Sequence, residues 1–129
     1  METPQTAKKK ILWVEDDALL GTVLSRELAS SEFDLIQAKD GEQAMSLLKG
    51  IIPDLIMVDL LLPGGMDGFA ILGEIQADPR LTGIPTIVLS NLSKTADMER
   101  ARKLGVSRFL VKANTSLQSI VSEIRDHVS

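Results

Sequence analysis

Leu55-Ile56-Met57-Val58 places an apolar side chain at every position, so a strand there has no polar face to turn toward water. Such a strand is stable only when covered on both sides, which puts it in the middle of a parallel sheet between two layers of helices. The rest of the chain supplies those layers. β-type runs are expected at 11–14, 33–38, 55–58, 84–89 and 107–111, alternating with helical patterns at 18–30, 41–49, 67–77, 94–104 and 115–128. Strand–helix alternation with right-handed crossovers gives an α/β fold with a doubly wound five-stranded parallel sheet. Residues 1–9, without hydrophobic period, read as a disordered leader, and 10–129 as one folded domain.

The expected helices carry their apolar stripes at Leu20, Leu24 and Leu28, at Ala44, Leu47 and Leu48, at Phe69, Leu72 and Ile75, and from Leu117 through Ile120, Val121 and Ile124 to Val128. Gly50 is placed to close the second helix from the position after its C-cap. Helix 94–104 differs: its charged residues leave only Ala96, Met98, Ala101 and Leu104 to bury, so it is expected to dock weakly and move. Pro85 requires that the fourth strand begin near it, where a missing N–H is tolerated.

With a net charge of −4 the chain lacks the basic field that nucleic acid or an anionic membrane would need. Lys8-Lys9-Lys10 is the one basic run and reads as a solubilising flank. The chain has no cysteine, which excludes disulfides and thiolate metal sites. The apolar run after the lysines is too short for a signal peptide or a membrane span, so a cytoplasmic location is expected.

Polar residues stop the apolar runs at four places: Glu15-Asp16-Asp17, Asp59, Ser90 and Lys112. In one parallel sheet these ends share an edge, and open α/β sheets keep their sites at that edge. Two or three carboxylates, a hydroxyl and an ammonium gathered there would accept a phosphoryl group with the help of a cation. Taken singly, each has an ordinary reading. Asp17 reads as the N-cap of the first helix, Asp59 as a turn residue before Pro63-Gly64-Gly65, Ser90 as a loop hydroxyl, Lys112 as a solvated strand end and Phe109 as core. His127 reads as a surface residue compensating a helix dipole. Their joint placement on one edge favours the site.

The series Val14-Glu15-Asp16, Asp59, Leu62-Pro63, Asp67-Gly68, Ser90, Gly105 and Phe109-Leu110-Val111-Lys112 resembles the receiver domain of bacterial two-component response regulators. The resemblance spans about 10–128 and implies a flavodoxin-like sheet of order 2-1-3-4-5, the order for which a receiver is the standing example. It also implies that Asp59 accepts a phosphoryl group from a sensor kinase's phosphohistidine. Glu15 and Asp16 would hold Mg²⁺, Asp16 directly and Glu15 through water, with the Leu61 carbonyl as a further ligand. Ser90 and Lys112 would contact the phosphoryl oxygens, and Phe109 would reorient with Ser90. The implied partners are a sensor histidine kinase or phosphotransfer protein upstream and an effector protein downstream, the latter on helix 94–104, strand 107–111 and helix 115–128.

The implied function is a stand-alone signalling switch that catalyses its own phosphorylation and slow dephosphorylation. Leu61 and Leu92, flanking the water's approach, offer it no hydrogen bond. The rival reading is a Mg²⁺-dependent aspartyl-phosphate phosphohydrolase. Haloacid-dehalogenase-type enzymes place a general-acid Asp two residues after the nucleophile, and Leu61 stands there. Three positions depart from the common receiver pattern: the extra glycine of Gly64-Gly65, Asn91 after Ser90, and Ala113 in place of proline after Lys112. Without proline, the 112–113 bond is expected to be trans or a strained cis. Asn91 is expected to narrow access to Asp59 or to donate a hydrogen bond.

Overall fold

A computed structural model describes residues 8–28 and 32–128. Residues 1–7 of the expected leader 1–9, and the end of the first helix at 29–30, lie outside that range; Lys9 is not leader but the first residue of a strand, in register with Phe33. Five parallel strands, β1 (Lys9–Val14), β2 (Phe33–Ala38), β3 (Leu55–Val58), β4 (Thr86–Ser90) and β5 (Arg108–Val111), form one sheet of order β2-β1-β3-β4-β5. The helices are α1 (Ala18–Glu27), α2 (Gly41–Leu48), α3 (Gly68–Ala77), α4 (Thr95–Lys103) and α5 (Leu117–Val128).

β3 is buried at all four positions, as its composition requires. Its side chains alternate between two cores. Ile56 and Val58 join Leu12, Val14 and Val88 under α2, α3 and α4, whereas Leu55 and Met57 join Ile11, Trp13 and Ile87 under α1 and α5. That two-sided burial is the physical content of a doubly wound sheet.

Three helices begin on an aspartate whose side chain accepts an N–H from the first turn: Asp17 from Leu20, Asp40 from Gln43 and Asp67 from Ala70. α4 begins at Lys94 without such a bond, and Ala101 is its buried residue. β4 starts at Thr86 rather than at 84, because Pro85 enters the ladder only as an acceptor, through the Ile56 N–H at 3.1 Å. Gly50 closes α2 without a left-handed backbone; among the described residues positive φ occurs at Gly64 and at Gly105, the latter just past the end of α4. Among the described residues no helix is long and apolar enough to cross a membrane.

Candidate functional site

Parallel register brings the C-terminal ends of β1, β3, β4 and β5 together. Val14 pairs with Val58, Val58 with Val88, and Ser90 with Val111, so Glu15, Asp59, Ser90 and Lys112 emerge side by side. Backbone bonds fix the first two: the Glu15 N–H donates to Ala38 at 2.8 Å and the Asp59 N–H to Val14 at 3.0 Å. The approach is close enough that Gly68 at the start of α3 leaves no room for a Cβ against the Asp59 and Leu60 backbone. Asp67-Gly68 therefore has a steric as well as a capping reason.

Asp59 is 4% exposed and receives a donor on each face. Oδ1 accepts the Ser90 hydroxyl at 2.7 Å and the Leu61 N–H at 3.0 Å; Oδ2 accepts the Lys112 ammonium at 2.7 Å. Burial pushes the Asp59 carboxyl up, but the bonds from Lys112, Leu61 and Ser90 outweigh it and leave the group below the usual carboxylate range. Its carboxylate form is thus favoured although the group is nearly buried.

Glu15 is fully buried, with Oε1 on Lys112 at 2.6 Å. Burial pushes its carboxyl up to about 7 against the opposing pull of the Lys112 hydrogen bond. Burial likewise lowers the Lys112 ammonium, yet its bonds to Asp59 and Glu15 win and hold it above its ordinary value. One ammonium thus serves two buried carboxyl groups.

Asp16 stands exposed beside them, and single oxygens of Glu15, Asp16 and Asp59 lie within 4.8 Å of one another. Glu15 Oε2 is buried without any hydrogen-bond partner, a costly condition for a carboxylate oxygen. An unpartnered buried oxygen next to two more carboxylates is a donor set that suits a hard, oxygen-seeking cation such as Mg²⁺. The residues present therefore fit the group. Leu61, at 54% exposure, contributes its N–H to Asp59. Phe109 is half-buried and packs against the core beneath α2, α3 and α4.

Two of the departures meet. Asn91 Oδ1 accepts the Ala113 N–H at 2.9 Å, a donor that a proline there would lack. The 112–113 bond is trans, since no cis peptide occurs among the described residues, and Lys112–Asn114 forms a short 3₁₀ turn. Sequence reasoning missed Gln37, whose Nε2 donates to the Glu15 carbonyl at 2.8 Å and the Asp17 carbonyl at 3.2 Å. Its one available signal was a polar residue in β2 directly opposite Trp13.

Comparison with known proteins bears on this edge. The family profile of the response regulator receiver domain matches residues 11–125. The DNA-binding response regulator MtrA of Mycobacterium tuberculosis is 33% identical over 107 residues, 83% of this chain and 45% of that protein. The chain thus spans less than half the length of the curated relatives it matches. Among solved structures, the phosphorylated cyanobacterial phytochrome response regulator RcpA superimposes with a TM-score of 0.84 at 32% identity, covering 95% of this chain and 94% of the other. The Mn²⁺-bound form of response regulator Rcp1 gives 0.80 at 31% identity, covering 92% of each.

Proposed function

Because the chain belongs to the response regulator receiver domains of two-component signalling, we propose that Asp59 is its phosphoacceptor and that the chain works as a phosphorelay switch rather than as a turnover enzyme. The observation that carries this reading is the Asp59 carboxylate itself: ionised, nearly buried, and held at once by Ser90, Leu61 and Lys112 beside the Glu15–Asp16 pair.

The donor is a phosphohistidine of a sensor kinase or phosphotransfer protein. An Asp59 oxygen forms the new bond to phosphorus as the P–N bond to the imidazole breaks, and the imidazole leaves with that electron pair and takes up a proton. A divalent cation held by Glu15, Asp16, Asp59 and the Leu61 carbonyl supplies charge neutralisation for carboxylates and phosphoryl oxygens that would otherwise repel. The Mn²⁺ form of Rcp1 and the phosphorylated state of RcpA support that assignment. Lys112 transfers its ammonium from Asp59 to an equatorial phosphoryl oxygen, which suits a loose, charge-spread transition state. Ser90, already pointing at Asp59, follows the phosphoryl group, and Phe109 on the next strand moves with it.

Hydrolysis of the acyl phosphate is slow because Leu61 and Leu92 give a water nothing to hydrogen-bond. The effector docks on α4, β5 and α5, where a cleft of about 300 Å³ lies among Met98, Arg102, Val106 and Phe109. A cytoplasmic place of action suits this reading, and the net charge of −4 gives these residues no basic field for nucleic acid or an anionic membrane. Leu61, where a phosphohydrolase of the haloacid dehalogenase type carries its acid, disfavours that alternative. Incubation with acetyl phosphate and Mg²⁺ should add one phosphoryl mass to the intact protein and none to Asp59→Asn; equal labelling of the variant overturns the assignment.

A further inference from the structure

Gln37 is the second-last residue of β2 and pairs in register with Trp13 of β1, so its side chain leaves the sheet on the face that α1 covers. Its Nε2 reaches past the sheet edge to two carbonyls, Glu15 at 2.8 Å and Asp17 at 3.2 Å. Those two carbonyls flank Asp16. The Glu15 N–H is meanwhile bound to Ala38, the next residue of β2, at 2.8 Å. The end of β2 therefore holds the acidic loop at three backbone atoms, all within one residue of Asp16.

This contact depends on Gly21. A Cβ built at Gly21 would occupy the place of the Gln37 amide. Gly21 is buried within α1, where alanine would otherwise be the better helix former. A glycine at that point keeps open the volume the amide uses, and the two residues form one device. Asp16 is exposed and among the described residues makes no side-chain hydrogen bond that would orient it, so the direction of its carboxylate follows from how its own peptide bonds are held. A cation with strict octahedral demands binds tightly only when its carboxylates are aimed before it arrives.

We propose that Gln37 is a positioning residue for the divalent-cation site, fixing the backbone on both sides of Asp16 so that the Glu15–Asp16 pair is aimed toward Asp59. The inference rests on the reading of Glu15, Asp16 and Asp59 as the cation's ligands. Outer partners of metal ligands typically govern affinity by roughly ten- to a hundredfold. The contrasting role is structural only, in which the bonds steady the β1–α1 loop and leave the cation indifferent.

Mg²⁺ titration by calorimetry on the full chain, with thermal unfolding of the Mg²⁺-free protein measured alongside, separates the two. Gln37→Met keeps the side chain's length and removes the donor; Mg²⁺ affinity should fall about tenfold or more. Gly21→Ala, which suits a helix interior, should displace the amide and produce a similar loss. The double substitution should bind no more weakly than Gln37→Met alone, because both changes remove the same contact. Unchanged affinity in Gln37→Met with a lowered melting temperature assigns the bonds to the fold and overturns the proposal. A wild-type protein that binds no Mg²⁺ removes the cation reading itself, so the wild-type isotherm tells the two failures apart.

Discussion

Glu15 is held where a carboxylate costs the fold free energy: fully buried, one oxygen on Lys112 and the other on nothing. Its folded pKa, pushed up by burial to about 7, exceeds the ordinary 4.5. The native state therefore holds the Glu15 proton more strongly than the unfolded chain does. That contribution to stability is complete below about 4.5 and lost as pH rises through about 7, a difference of roughly 3 kcal/mol at most. Asp59 acts with the opposite sign in another window. Its folded pKa is lowered, so its contribution is present above 3.8 and disappears only as pH falls further. Urea unfolding in Mg²⁺-free buffer between pH 5 and 8 should thus show wild type losing stability relative to Glu15→Gln as pH increases. Excess Mg²⁺ should offset that loss most at the high-pH end, where Glu15 is ionised and free to ligate. Parallel curves for the two proteins would mean that Glu15 is charged throughout.

At the scale of elements, α4 shows what the sequence could and could not reveal. Its thin apolar stripe correctly announces shallow docking, since Ala101 is buried and Met98 and Leu104 only partly so. Its missing cap is equally visible, with Lys94 where α1, α2 and α3 have capping aspartates. What holds the helix was not legible: the Arg100 guanidinium lies 4.0 Å from the centre of the Phe69 ring on α3. No periodicity within α4 marks a contact to a ring thirty-one residues earlier. The same reason hid Gln37 and the Asn91–Ala113 bond, which join side chains to backbone across long stretches of chain. Strands, helix stripes, aspartate caps and the polar strand ends follow periods of two or 3.6 residues or sit at their ends, and those were readable. An exposed guanidinium over an aromatic face contributes about 0.5–1 kcal/mol. Arg100→Ala should lower global stability by no more than that, while amide exchange through α4 accelerates several-fold; unchanged exchange there would show that the stack does not anchor the helix.

Across the whole molecule, the side chains gathered around Asp59 come from two unequal sides. Glu15 and Asp16 rise from β1, whose loop is tied to β2 through Gln37 and Ala38, with α1 and α2 firmly capped by Asp17 and Asp40. Ser90 and Lys112 rise from β4 and β5, the strands beside the shallow helix α4. Under the proposed function, a phosphoryl group on Asp59 would draw on both donors of that second side, Ser90 by its hydroxyl and Lys112 by its charge. Asn91 binds the loop after Ser90 to the turn after Lys112 through the Ala113 N–H. Phe109 and the cleft among Met98, Arg102 and Val106 lie on this second side, whereas α1 and α2 follow the strands of the first. A ligand shifts a conformational balance only by its differential affinity, and the balance most easily shifted is that of the least anchored element. Beryllofluoride with Mg²⁺, a stable stand-in for the phosphoryl group, should therefore change amide exchange across residues 95–103 and in β5, with little effect in α1 and α2. Asp59→Asn should abolish the response. Constant protection in α4 alongside a response in α1 or α2 would place the output surface at the β1–β2 end of the sheet, away from β4 and β5.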